Sequence, residues 1–144
     1  MITEQLSQAL SIAAAELDPV SQGIGTVTSG GVDMSKFERV LFLLMVGSVG
    51  AAGTVDAKLQ ESATSGGTYT DISGGSITQI TASNKIATVE IKATQLSSGK
   101  QFVRLSVTVG GNAVLIAAVP LAGEAHQKPG SAQDIAAVTQ RKVV

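Results

Sequence analysis

Apolar and polar residues alternate with a period of two over much of the chain, interrupted at short intervals by glycine. Thr54 to Ser62 is the cleanest case: Val55, Ala57 and Leu59 point one way, and Asp56, Lys58, Gln60 and Ser62 the other. Residues 100–109 repeat it, with Val103, Leu105, Val107 and Val109 opposite Phe102, Arg104, Ser106 and Thr108. Two stretches, 38–49 and 113–121, are apolar on both faces, as in a central strand covered on both sides. A helix is the alternative for 38–49, but its β-branched ends and the following Gly50 and Gly53 favour a strand. In 86–93 the apolar residues are Ile86, Val89 and Ile91, so the phase slips by one near Thr88, as at a bulge. Strands are therefore expected at 39–49, 55–61, 86–92, 101–109 and 114–121, with a shorter one at 24–29. Gly110-Gly111-Asn112 reads as a hairpin turn. Short strands at this spacing predict an all-β fold, a β-sandwich or jelly-roll-like barrel.

The ends differ. Leu6, Leu10, Ala13, Ala14 and Leu17 have helical spacing, with Thr3 as N-cap and Pro19 as stop, so 3–17 is either a short amphipathic helix or an extended arm. Residues 33–37 read as one helical turn capped by Asp33, and 94–99 as another tight turn. Gly66-Gly67 and Gly74-Gly75 bracket the unit TYTDIS. The organisation is an arm (1–22), a β-domain (23–122) and a polar tail (123–144) with weak helical spacing at Ile135, Ala136 and Val138. Neither end carries enough apolar surface to fold alone. Both are expected to be held by neighbouring subunits, with docking on their own domain as the alternative.

Composition narrows the function. The 144 residues suffice for one domain and are 44% hydrophobic, but Phe37, Phe42, Tyr69 and Phe102 are the only aromatics. That argues against sugar-stacking and base-stacking surfaces. A net charge of −1 with 15% charged residues gives no footprint for nucleic acid or anionic lipid. The N-terminal MITEQLSQAL has no basic region and does not read as a signal peptide. The longest apolar run, about ten residues, is half a membrane span. Without cysteine there is no disulfide framework, thiolate metal site or cysteine nucleophile.

Candidate chemistry is sparse. His126 is the only histidine and lies in the polar tail with no nucleophile motif beside it, which favours a solvated or interface residue. Asp33, Asp56, Glu61, Asp71 and Glu90 are scattered over separate segments, without the clustered oxygens calcium prefers. Asp71 reads as an Asx-turn residue. The glycine pairs open no helix and match no phosphate-binding fingerprint. No catalytic, metal or cofactor residue is therefore assigned, and no enzyme activity is expected. The charged and amide side chains on regular strands say more, since Lys58, Gln60, Lys92 and Arg104 need water or another protein. Lys58, Gln60, Arg104 and His126 are the candidate partner contacts. The doubly apolar strands imply apolar surface buried in a homodimer or homotrimer.

The stretch VDMSKFERVLFLLMVGSVGAAGTVDAKLQESATSGGTYTDISGGSITQIT, with NKIATVEIKATQL and KQFVRLSVTVGG, resembles the decoration (cement) proteins of tailed-phage heads. The similarity spans roughly residues 32–128, and KLQES, YTDI and FVRLSVTVGG carry most of it. The resemblance implies a β-sandwich or barrel, a homo-oligomer on the capsid surface of the virion and major capsid protein as partner. It also implies synthesis in the host cytoplasm, and no cofactor, nucleic acid or membrane as ligand. A carbohydrate- or receptor-binding virion module and a tail-tube or head–tail connector subunit are the alternatives.

Overall fold

In a computed structural model, residues 4–144 are described; Thr3, the expected N-cap, lies outside them. Among the described residues the alternation seen in the sequence builds nine strands: β1 (Leu17–Gln22), β2 (Gly25–Thr28), β3 (Val32–Asp33), β4 (Phe37–Val49), β5 (Thr54–Ser62), β6 (Thr70–Ser76), β7 (Lys85–Lys92), β8 (Phe102–Gly110) and β9 (Val114–Ala125). They form two antiparallel sheets, ordered β1-β9-β4-β7 and β2-β8-β5-β6, with β3 also on β8. The two sheets pack as a β-sandwich. Val40, Phe42, Leu44 and Val46 of β4 and Val114, Ile116 and Ala118 of β9 are buried in one core with Val55, Ala57 and Leu59 of β5 and Val103, Leu105, Val107 and Val109 of β8. The five expected long strands are present with bounds shifted by a few residues at most, except that β9 continues to Ala125.

Several connections differ from expectation. Gly110-Gly111-Asn112 makes no hairpin: β8 and β9 belong to opposite sheets and face each other across the core. Each presents one row of buried aliphatics, which is what drives strands joined by a short turn into separate layers. Asp33 ends β3, and its Oδ1 accepts from the Ser35 N–H (3.0 Å) and Oγ (2.7 Å), an Asx turn in place of a helical one. No bulge occurs at Thr88, where β4 and β7 stay in register from Arg39–Lys92 to Val46–Lys85. Register shifts occur instead on β1 between Leu17 and Val20, on β4 between Val46 and Val49, and on β6, which takes extra residues opposite Leu59 at Gly74 (φ +77°).

The expected helix shrinks to one turn, α1 (Leu6–Ala9), because the backbone beyond it pairs with a sheet. Part of the segment read as an arm, Leu17–Gln22, is an edge strand on β9. Upstream, Ser11 also pairs with β9, exchanging both hydrogen bonds with Ala122 (2.8 Å each). Between these pairings the chain bows away at Pro120. Residues two apart on a strand direct their N–H the same way, so Pro120 sits where the next donor after Ala122 would be, and it has none.

The terminal segments hold each other and dock on their own sheet, the arrangement given above as the alternative. Asp134 Oδ1 accepts from the Ile12 N–H (2.9 Å), Ile135 N–H donates to the Ile12 carbonyl (2.8 Å), and Arg141 donates to Asp134 (2.8 Å) and to the Ser7 carbonyl (2.6 Å). Burial alone would raise the Asp134 carboxyl, but hydrogen bonds from Arg141 and Ile12 outweigh it and hold the group below its ordinary range.

Candidate functional site

Each sheet turns one face outward, and the two faces are chemically opposite. On the outer face of the β2-β8-β5-β6 sheet, register places Gln60 beside both Arg104 of β8 and Asp71 of β6. Lys58 Nζ lies 2.6 Å from Asp71 Oδ2, Gln60 Nε2 donates to Asp71 Oδ1 (2.8 Å), and Arg104 Nε donates to Gln60 Oε1 (3.0 Å). The Arg104 guanidinium stacks 4.0 Å over the Tyr69 ring centroid, and the Tyr69 hydroxyl donates to the Ser65 carbonyl (3.1 Å). Hydrogen bonds from Lys58 and Gln60 hold the Asp71 carboxyl low. Burial pushes the Tyr69 hydroxyl up against the opposing charge of Arg104. Asp71 is therefore a strand residue that accepts from two side chains, which replaces the Asx turn expected for it.

Three of the four candidate contacts, Lys58, Gln60 and Arg104, thus meet in one network that satisfies most of their polar atoms internally. Lys92 is elsewhere, at the end of β7 in the other sheet. His126 is elsewhere too. Its Nε2 is 2.6 Å from Glu38 Oε1, its Nδ1 is 2.8 Å from the Ser35 carbonyl, and its backbone N–H donates to the Lys36 carbonyl (2.9 Å). The Glu38 contact, helped by Ser35, raises the imidazole above its ordinary value, since only the protonated ring donates from both nitrogens. His126 fastens the start of the C-terminal segment to β4. Among the described residues, no group of three or more His, Asp or Glu side chains is placed to hold a metal ion, and no helix is long and apolar enough to cross a membrane.

The outer face of the β1-β9-β4-β7 sheet is apolar along β4 and β9 and carries Arg39, Thr88, Glu90 and Lys92 toward the far end of β7. Leu41, Leu43 and Met45 of β4 alternate with the buried row, as do Leu115, Ala117, Val119 and Leu121 of β9. At one end the termini lie over it: Val119 shares a cleft with Ile12, Ile135 and Val138, and Leu10 reaches over Gly123. At the other end none of the described residues covers it. There Ile86 is 66% exposed, Met45 49% and Leu115 45%, around a groove of about 560 Å³ whose lining includes Gly47, Ala117 and Pro19. The doubly apolar strands pointed to this surface, but Ile86, its most exposed member, was assigned to the wrong phase. The signal was its even spacing with Thr88, Glu90 and Lys92, all exposed.

No protein-family model matches the chain, and no curated relative does either. Among solved structures, it is similar to a chain from the structure of infectious bursal disease virus, Gx strain, with a TM-score of 0.43 and 9% identity over 85% of this chain and 33% of that chain. The chain thus spans about a third of that neighbour, and a likeness of this size carries no argument about function.

Proposed function

We propose that this chain is a structural virion protein that binds the outer surface of a tailed-phage head as a homo-oligomer and bridges major capsid protein subunits. The observation that carries this reading is the pairing of two contact surfaces on one thin sandwich. One side is an open apolar face, and the other is a pre-ordered polar face centred on Arg104 stacked on Tyr69. Apolar surface of that kind is stabilised by a permanent protein partner, and the oligomer supplies it. The polar face suits the shell: Arg and Tyr are typical interface anchors, and side chains already fixed lose less entropy on docking. The sequence resemblance over residues 32–128 supplies the capsid context. Such a subunit acts without catalysis or cofactor. By binding only the assembled shell it shifts assembly by mass action, and many symmetry-related contacts add up by avidity.

The test mixes purified full chain with undecorated heads, followed by sedimentation and negative-stain microscopy. The expected result is saturable occupancy, a higher temperature of head rupture, and reduced occupancy for Arg104→Ala. Absence of binding at micromolar concentration overturns the reading.

A further inference from the structure

Of the sheet edges among the described residues, one is left open, and its backbone pattern selects an occupant. β1 carries Pro19 and a register shift, β6 is broken at Gly74, and β2 and β3 are short. β7 instead pairs with β4 without a shift from Lys85 to Lys92 and holds no proline or glycine. Which of its amides face outward follows from β9. Ala122 exchanges both its bonds with Ser11, away from β4, so its pair with Val40 is not hydrogen-bonded. Alternation then turns the backbone groups of Leu41, Leu43 and Met45 toward β9. Those of Val40, Phe42, Leu44 and Val46 turn toward β7, where Ile91, Val89, Ala87 and Lys85 meet them. The N–H and C=O of Ile86, Thr88 and Glu90 therefore point off the sheet, and none has a backbone partner among the described residues.

This open window is symmetric about Thr88. Four residues before it, the Asn84 N–H already donates to the Gly47 carbonyl (2.9 Å); four residues after it, the Lys92 N–H donates to Gln95 Oε1 (2.9 Å). We infer that β7 pairs antiparallel with β7 of a second copy, about a twofold axis through Thr88 and normal to the sheet. Ile86 of each copy then faces Glu90 of the other and Thr88 faces its twin, each pair exchanging two bonds. That register engages every free group of the window and no committed one. Centring it one residue either way sets Glu90 against Asn84 or Ile86 against Lys92, whose amides are taken. Matching limits on both sides of one residue are what a twofold contact requires, and a foreign strand makes no such demand.

Side chains and space agree with this. Between the bonded pairs, half-buried Ala87 faces half-buried Val89 of the other copy, a small residue against a larger one, twice. Like charges stay apart, since the two Glu90 lie four residues from each other along the strands, roughly 13 Å. A shallow cleft of about 470 Å³ opens along the start of β7, walled by residues 77–82, and gives room beside this half of the edge. Each copy has one such edge, so the contact closes at two copies and joins β1-β9-β4-β7 to β7-β4-β9-β1 in one sheet. The inference goes beyond the proposed function, because the contact is made by a backbone edge and uses neither outer face. It is tested on free protein with no heads present, so it and head binding can fail separately.

Sedimentation equilibrium of the full chain should show a dimer at micromolar concentration. Amide exchange at Ile86, Thr88 and Glu90 should slow as protein concentration rises, while that at Asn84 and Lys92 stays constant. Thr88→Pro removes an N–H that β4 does not use, so the fold should hold and association weaken at least about tenfold. Circular dichroism and thermal melts check the fold; if that variant does not fold, exchange and cross-linking decide. The chain has no cysteine, so an introduced one can form a disulfide only with another copy. Oxidised Thr88→Cys should give a covalent dimer, since facing bonded residues stand about 5.5 Å apart at Cα. Glu90→Cys, roughly 13 Å from its twin, should not. A monomeric wild type, a folded Thr88→Pro variant that associates unchanged, or Glu90→Cys linking as fast as Thr88→Cys would each overturn the inference. Slowed exchange in β7 that appears only on heads would also overturn it and give the edge to a strand of the shell.

Discussion

The outer faces of the two sheets share a construction and differ in what they leave unsatisfied. Both are alternate residues of antiparallel strands over one aliphatic core. On one, Lys58, Asp71, Gln60, Arg104 and Tyr69 answer most of each other's polar atoms, so the face is already ordered in the isolated chain. On the other, Met45, Ile86 and Leu115 meet water at one end, while the chain's own termini cover the other end. The difference teaches that charged residues on a strand are weak evidence of a partner when register can pair them. A row of aliphatics on the outer side of a strand already buried on its inner side is stronger evidence.

The comparison assumes that inner and outer rows are correctly told apart, and the largest expected effect tests that. Val107→Asp buries an unpaired charge and should cost at least about 4 kcal/mol in urea denaturation, enough to unfold the domain. Its neighbour Thr108 points outward, directly across from Asp56, so Thr108→Lys should stay within about 0.5 kcal/mol. Equal damage from the two would break the comparison at its root.

Asp134→Ala enlarges the open apolar face by releasing its terminal cover. It should cost about 1–2 kcal/mol, and amide hydrogen exchange should quicken in residues 5–15 and 130–141 while the core strands stay protected. Because the folded Asp134 carboxyl sits below its unfolded value, its contribution is present above about pH 3.9 and fades as pH falls through the folded value.

On the polar face, Arg104→Ala removes the stack on Tyr69 and one hydrogen bond to Gln60. A loss of about 0.5–1 kcal/mol in chemical denaturation is expected, in keeping with an exposed network. The smallest effect lies at the border, at His126. Its folded value is raised, so its contribution is full below about pH 6.5 and lost as pH rises through the folded value. The melting temperatures of wild type and His126→Gln should therefore differ slightly at pH 5.5 and converge above pH 8.

How much of this was legible in the sequence depended on whether a residue's environment is set by its own strand. Val55, Ala57 and Leu59 read correctly because one strand's alternation determines its buried face. Ile86 did not, because its side of β7 is apolar only by virtue of lying next to Met45, a pairing across some forty residues. Lys58, Gln60 and Arg104 were found as a group, but Asp71 and Tyr69, which complete the network, come from β6 and its approach, where irregular pairing at Gly74 hides the register. The hairpin at Gly110-Gly111-Asn112 was misread because a turn sequence specifies reversal of direction and leaves open whether the next strand joins the same sheet.

The joined termini carry a consequence for the order of folding. The Ile12–Asp134 bond spans 122 residues and the Ser7–Arg141 bond spans 134, so each closes a loop holding nearly the whole chain. Closing such a loop from an unfolded coil is entropically costly, and the cost nearly vanishes once the sandwich has brought β1 and β9 side by side. The clasp is therefore a late contact that forms on a finished core, and hydrogen exchange should show it opening first as a small unit of its own.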